Sequence, residues 1–327
     1  MNLVTHTPLV SVLLPVRNGL PHLREAVASV LAQSLTDLEL IVVDDDSRDG
    51  SALVARGFND PRVRVIRGRG LGLAHALNLG LRAARGGIIA RQDADDLSRV
   101  DRLERLAAFL ESSPDVDVVS SRVGFVDHAG RETTTAWTQA VQQVWERAGT
   151  PEAIARLLPL TNCLVHGSVA ARRSTLAVVG GYDETLDVAQ DYDLWLRLLP
   201  SHCFARLSAP LYTYRLHAAQ VSARKARAQT IASIAAKLRY IRRLAGLTRP
   251  ARALLTGTGR GRALYEAALP LHGFHAVEAG SAWDVAIATS FDTLDDDLLM
   301  ARRSCEVPVT HVGNFLLAWR QPAEAAA

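Results

Sequence analysis

Three carboxylates crowd into four residues at Asp93, Asp95 and Asp96, and a second acidic run stands at Asp44, Asp45 and Asp46. An Asp-x-Asp at a strand-to-loop turn offers hard oxygen donors in a short, adjustable arc. Mg2+ and Mn2+ are typically held by one or two carboxylates together with substrate phosphate oxygens, so these residue types point to a metal-bridged diphosphate. Like charges so close repel unless a cation or donor groups compensate them. The plainer reading of Asp93–Asp96 is a cap for the helix expected from Arg99, where aspartates favour the first turn. A cap accounts for one aspartate and not for three.

The elements that must position these acids alternate along the chain. Apolar runs at Leu9–Val16, Leu38–Val43, Val63–Ile66, Ile88–Ala90 and Val116–Ser120 are expected as strands. Between them, helical spacing is expected over Leu20–Gln33, Ser51–Arg56, Leu73–Ala84 and Arg99–Leu110. Such alternation means βαβ units and an open, mostly parallel α/β sheet, and near-continuous apolar runs fit strands covered on both faces. In open α/β sheets, ligands bind beyond the carboxyl ends of the strands. The first strand ends at Pro15-Val16-Arg17-Asn18, the second at the Asp44 run, and the fourth at the Asp93 run. Both acid clusters therefore fall on one edge.

The 327 residues are 48% hydrophobic and 22% charged, which excludes wholesale disorder and a coiled coil. Lys225 and Lys237 are the only lysines, and the net charge of +3 is too small to argue for nucleic acid. Cys163, Cys203 and Cys305 form no Cys-x-x-Cys pair and are expected as reduced, packed thiols of a cytoplasmic protein. No run reaches the roughly 18–20 apolar residues that span a bilayer.

The segments VSVLLPVRNG, LELIVVDDDSRDG, GLGLAHALNLGLRAARG, ARQDADD, HGSVAARRSTLAVVGGYDE, AQDYDLWLRL and YRLHAAQVS together resemble a family 2 inverting glycosyltransferase of the GT-A type, in that family's order and spacing. The resemblance covers about the first 220 residues and implies an open α/β domain that binds a nucleotide-diphospho-sugar. By it, Pro15 and Asn18 shape the nucleotide pocket, Asp44 hydrogen-bonds the base, Asp93 lies near the ribose and metal, and Asp95 is the direct ligand of Mn2+ or Mg2+. Asp191 matches the catalytic base, which inverting displacement needs to take the acceptor proton; the residue before it, usually glutamate, is Gln190. Arg215 resembles a residue closing over the diphosphate, where it would offer a phosphate fork, and His217 a further metal ligand or phosphate donor. His166 and Trp195 are carried over to the acceptor side. UDP- or dTDP-sugars are the favoured donors, with a glycan, lipid-linked or small-molecule acceptor, in cell-surface polysaccharide or glycoconjugate synthesis.

Three parts are expected: a catalytic domain over 1–222, a basic linking helix over 223–249, and a small Rossmann-like α/β appendage over 250–327. The helix carries apolar residues at Ile231, Ile234, Leu238 and Ile241 among arginines and lysines. It can lie on the inner face of an anionic membrane or, more commonly, pack on a domain or a second copy of the chain. In the tail, strands at Ala251–Thr256, His275–Val277, Val285–Thr289 and Val307–Val309 flank the segment Gly257-Thr258-Gly259-Arg260-Gly261-Arg262 and a helix over Ala263–Leu271. Glu278 falls where a Rossmann fold holds its ribose-binding acid, but Arg262 replaces the third glycine. The competing readings are a nucleotidyltransferase or NAD(P)-dependent enzyme using that segment, and a non-catalytic sugar-nucleotide-binding module.

Overall fold

The computed structural model describes residues 6–218, 220, 224–256, 259–278 and 280–289. The chain divides into two compact units, Met1–Ile154 with Cys163–Arg224, and Ala155–Asn162 with Lys225–Ala327.

The first half of the first unit follows the expected alternation: β1 (Val10–Val16), α1 (Leu23–Leu31), β2 (Leu38–Asp44), α2 (Ser51–Arg56), β3 (Val63–Arg67), α3 (Leu73–Ala83) and β4 (Ile88–Arg91). Every residue of β1 and β2 is buried, as continuous apolar strands between two helical layers should be. Helix α1 buries Leu23, Ala26, Val27 and Val30, a stripe at helical spacing that packs into the main core. Each fully buried Leu or Val there contributes about 1.5–3 kcal/mol.

Then come β5 (Leu97–Ser98), α4 (Arg102–Ser112), β6 (Val118–Val126), α5 (Ala136–Arg147), α6 (Pro151–Leu157), β7 (Ala170–Arg172), α7 (Arg173–Val178), α8 (Gln190–Leu198) and β8 (Phe204–Arg215). The strands form one eight-stranded α/β sheet in the order β3-β2-β1-β4-β7-β6-β8-β5. From β3 to β4 the pairs are parallel; β7 runs antiparallel to both β4 and β6, and β5 antiparallel to β8. The sheet is thus a parallel block with a mixed extension. Strand order reverses at β1, whose neighbours are β2 on one side and β4 on the other. The β1–β4 pairing ends at Leu13 and Arg91, so Pro15, which has no N–H to give, falls where β4 has diverged. In open α/β sheets a strand-order reversal of this kind is where ligands bind, beyond the carboxyl ends of the strands.

The second unit holds α9 (Ala226–Leu244), β9 (Ala251–Thr256), α10 (Gly259–Ala268), β10 (Phe274–Val277) and β11 (Val285–Ala288). Its three strands are parallel in the order β10-β9-β11. The basic helix is built into this unit: Ile234, Leu238 and Ile241 pack with Leu255, Phe274, Val285 and Ile287, while Ile231 stays exposed. Lys237, half-buried with its ammonium 5.9 Å from the centroid of the Tyr265 ring, has its pKa lowered by desolvation to about 8. Gly257, Thr258, Cys305 and Val307–Val309 lie outside the described residues. Among the described residues no helix is long and apolar enough to cross a membrane.

Candidate active site

The loop after β1 and the loop after β2 are laced together. The Asn18 N–H donates to Ser47 Oγ at 2.9 Å and the Arg48 N–H donates to Asn18 Oδ1 at 2.8 Å, with Asn18 in the left-handed region at φ 57°. The Ser47 N–H donates to Asp44 Oδ1 at 3.3 Å, leaving Asp44 at the mouth of β2. Asp45 has a different task. Its carboxylate accepts the N–H groups of Leu71 and Gly72, at 3.2 and 2.9 Å, and so folds the glycine loop onto the strand end. Gly70 and Gly72 both take positive φ, at 71° and 100°, which is why glycines stand there. Two backbone donors of that loop are thus held by Asp45.

The three aspartates beyond β4 separate into three environments. Asp93 Oδ1 accepts from the Arg91 guanidinium at 2.6 Å, and its N–H donates to Tyr212 Oη at 3.1 Å. Burial raises the Asp93 pKa, against the lowering influence of Arg91. Asp96 is buried; Oδ1 accepts the Arg215 N–H at 2.8 Å, while Oδ2 has no hydrogen-bond partner. Burial first, then the charges of Asp95 and Asp93, push its pKa well above the ordinary value. Asp95 and Asp93 are both partly exposed, and Asp95 Oδ2 lies 2.8 Å from His217 Nε2. The His22 ring lies 5.4 Å from that of His217.

Asp95 and His217 therefore converge one carboxylate oxygen and one imidazole nitrogen, a donor pair that suits Mn2+ or Mg2+ when diphosphate oxygens supply further positions. Asp93 fits less well because Arg91 holds one of its oxygens. Among the described residues no group of three His, Cys, Asp or Glu side chains is arranged to hold a metal by itself. Arg215 departs from the expected phosphate fork. Its guanidinium donates to the carbonyls of Asp95 and His128, at 3.0 and 3.3 Å, and to Glu25 at 2.6 Å. In this state it braces the acidic turn from behind.

Arg102 and Tyr212, which the sequence did not single out, support this end of the sheet. The wholly buried Arg102 donates to the carbonyls of Arg91 and Gly167, at 2.6 and 2.7 Å, and lies 5.0 Å from the Tyr212 ring. It pins the end of β4 to the turn His166–Ser168. A Cβ on Gly167 would stand 2.1 Å from Tyr212 Oη and 2.7 Å from Asp93 Oδ2, so only glycine permits this approach.

His166 Nε2 lies 2.9 Å from Tyr182 Oη, and desolvation, then the Arg91 charge, pushes the His166 pKa well below its ordinary value. Helix α3 holds Tyr182: Asn78 donates to its carbonyl at 2.8 Å and accepts its N–H at 2.9 Å. The Tyr182 pKa is raised first by burial, then by Asp191 and Asp93 against the opposing Arg91, so those two acids share one neighbourhood. Asp191 sits in the first turn of α8, after Ala189 at φ 57°. Arg197 ties that helix to the Gly180–Gly181 turn, donating to Asp193 and to the carbonyls of Val179 and Gly181, each at 2.7 Å. Gln190 is buried with Oε1 unpartnered. Trp195 requires a correction. It is 1% exposed, edge-on to both His166 and Phe204, and so it backs His166 from the core and offers no surface to an acceptor.

The model of Glycosyl transferase family 2 matches residues 11–180. A protein of Rickettsia typhi named as an uncharacterized glycosyltransferase is 31% identical over 198 residues, 60% of this chain and 60% of its own. The chain thus spans less than two thirds of that relative. A Rickettsia prowazekii protein, likewise named as an uncharacterized glycosyltransferase, is 29% identical over 66% of this chain and 67% of its own. Among solved structures, TarS residues 1–349 of S. aureus in complex with UDP-GlcNAc matches with a TM-score of 0.57 at 19% identity, covering 71% of this chain and 66% of that one. A mannosyltransferase from Pyrobaculum calidifontis, in complex with GDP-Man and Mn2+, matches with a TM-score of 0.54 at 21% identity, covering 82% and 71%. These neighbours share the GT-A fold of the first unit, and the chain belongs to glycosyl transferase family 2.

Proposed function

We propose that the first unit is the catalytic domain of a metal-dependent inverting glycosyltransferase, moving a sugar from a nucleotide-diphosphate donor to a hydroxyl acceptor in polysaccharide or glycoconjugate synthesis. The observation that carries this reading is the convergence of Asp95 and His217 beyond the end of β4, beside the point where strand order reverses. Neighbours whose complexes contain UDP-GlcNAc, or GDP-Man with Mn2+, support a nucleotide-sugar donor.

In this account Pro15, Asn18 and Asp44 form the wall for the nucleoside, and Asp44 accepts from a ring N–H of the base. Asp95 and His217 would hold a divalent cation, which would supply charge neutralisation to a departing diphosphate. Arg91 and Tyr212 orient Asp93 toward the ribose. Asp191 takes the proton of the acceptor hydroxyl as that oxygen attacks the anomeric carbon from the face opposite the leaving group. Neutral His166, set by Tyr182, lies beside the acceptor path. The second unit is read as an appendage with a structural or partner-binding role.

A thermal-shift screen of UDP, dTDP, GDP and their sugars, with and without Mn2+, tests the reading. Stabilisation by a uracil or thymine nucleotide only when Mn2+ is present is expected. Stabilisation by NAD(P)+ instead would move the activity to the second unit and overturn it.

A further inference from the structure

Charge is unevenly spread along the chain. Residues 1–223 carry 23 Lys or Arg against 25 Asp or Glu, whereas residues 224–289 carry 11 against 3. The structure gathers much of that surplus at one edge of the small sheet.

That edge is the amino end of the parallel strands of the second unit. Phe274 pairs with Ala251 at the start of β10 and β9, so the loop 246–250 and the turn 270–273 lie side by side. Arg242, near the end of α9, ties the two together. It donates to the Gly273 carbonyl at 2.8 Å and to the carbonyls of Leu247 and Arg249 at 2.8 and 3.2 Å. Gly273 takes φ 70°, and a Cβ there would stand 2.9 Å from Arg242 Nη1, so a glycine closes the turn. Burial first, then the charge of Arg239, lowers the His272 pKa, which puts Arg239 beside the same turn. Arg243 and Arg249 are exposed. The three acids leave this charge standing. Arg252 takes both oxygens of Asp284, at 2.9 and 3.2 Å, and Arg262 takes Glu266 at 2.8 Å. Glu278 follows β10 at the opposite end of the sheet.

The turn also lifts a large apolar side chain out of the unit. Leu271 is 81% exposed, and Pro270 before it is exposed as well. Tyr240, Tyr265, Phe274 and Trp283 are all buried, so residues 224–289 present no aromatic face on which a nucleic-acid base could stack. An apolar tip among guanidinium groups has the chemistry of an interfacial anchor. The tip enters the acyl boundary while the cations stay at the depth of the lipid phosphates, and anionic headgroups attract them.

We infer that the edge built from the loop 246–250 and the turn 270–273 docks on an anionic lipid bilayer, with Leu271 inserted and Arg242, Arg243 and Arg249 at the headgroup phosphates. The apolar stripe of α9 takes no part, because Ile234, Leu238 and Ile241 are buried within the unit. This docking is independent of the nucleotide chemistry of the first unit.

The test is co-sedimentation of the full chain with vesicles of phosphatidylcholine, alone or with about one-third phosphatidylglycerol, beside a UDP titration with Mn2+. The parent should bind only the anionic vesicles, and binding should fall at least about fivefold as salt rises from about 50 to about 300 mM. Leu271→Asp should weaken it about tenfold and Arg249→Glu about fivefold. Both side chains are exposed, so Tm should hold, and UDP affinity should stay within about twofold. The inference is overturned if the parent ignores the anionic vesicles, if neutral vesicles bind equally well, or if either variant binds as the parent does. It is also overturned if Ile231→Asp releases the chain from vesicles and Leu271→Asp does not. A preference for a short DNA duplex over anionic vesicles, equal in the parent and Leu271→Asp, would overturn it in favour of nucleic acid. Vesicle binding through Leu271 in a chain that binds no nucleotide would sink the catalytic reading and leave the docking surface standing.

Discussion

The two ends of the parallel strands treat their carboxylates in opposite ways. At the amino ends, Glu39 is 1% exposed and fully engaged: Ser11 Oγ donates to it at 2.7 Å, Arg64 at 2.7 Å, and the Arg85 N–H and Nε at 2.8 and 3.0 Å. Burial would raise its pKa, but these donors outweigh it and bring the value down to about 2. A cavity of about 330 Å3 beside it is lined by Arg62 and Arg85, already paired with Asp60 and Glu39, and by His6 and Asp37, paired with each other. At the carboxyl ends, Asp93 and Asp96 have raised pKa values, and Asp96 keeps an oxygen with no partner. One end spends its donors on stability. The other leaves acids under-compensated, which is the condition a divalent cation and a diphosphate can relieve.

The comparison breaks most visibly through Asp191. Asp191→Asn should lower transfer by about 10²–10⁴-fold, the usual contribution of a positioned general base, with nucleotide affinity retained. Steady-state transfer and a UDP titration on one preparation check both halves, and full transfer would remove Asp191 from the role.

Glu39→Gln should do the reverse. It removes the depressed-pKa carboxylate and should cost about 3 kcal/mol at neutral pH, or roughly 6–12 °C in Tm for a unit of this size. Nucleotide affinity should not change. The pH dependence has a definite sign. Because the folded pKa lies below the unfolded one, the stabilisation is complete above about pH 4.5 and is lost as pH falls toward about 2. Denaturant melts between pH 6 and 2.5 should show that loss in the parent, with the Glu39→Gln variant flatter over the same window.

Smaller effects sharpen the contrast at the functional end. Tyr212→Phe strips the acceptor from the part-buried Asp93 N–H, so a stability loss of about 1 kcal/mol is expected, together with slower transfer. Calorimetric unfolding and kcat report the two separately. Asp96→Asn should be the mildest. An amide matches the carboxyl in shape and its oxygen can still accept the Arg215 N–H, so stability should change by no more than about 1 kcal/mol. A collapse of that variant would mean that Asp96 is needed as an anion.

Much of the parallel half was legible because its signals are local. Leu38–Val43 is an apolar run ending at Asp44, Ile88–Ala90 one followed two residues later by Asp93, and Leu23, Ala26, Val27 and Val30 repeat at helical spacing. The mixed half was not. Strand β8 reads FARLSAPLYTYR, with Pro210 inside it and a register irregularity opposite Ser121–Val123, so neither alternation nor a clean apolar run announces it. The site divides in the same manner. Asp93, Asp95, Asp191 and His217 stood out by type and motif, whereas the supports of Asp93 come from Tyr212, 119 residues away, and those of Arg215 from Glu25, 190 residues away. Tertiary pairing at such separations leaves no trace in local spacing. Trp195 misled for the same reason, since a tryptophan in a helical stripe looks alike whether it faces a ligand or the core.

The claim that the under-compensated end is the nucleotide site meets its most direct test in calorimetric titration of UDP with and without Mn2+. The parent, Asp95→Asn and Glu39→Gln would be run side by side. The account predicts binding that depends on Mn2+ in the parent, loss of that dependence and of most affinity in Asp95→Asn, and parent-like binding in Glu39→Gln. UDP affinity that is indifferent to Mn2+ and untouched by Asp95→Asn would contradict it.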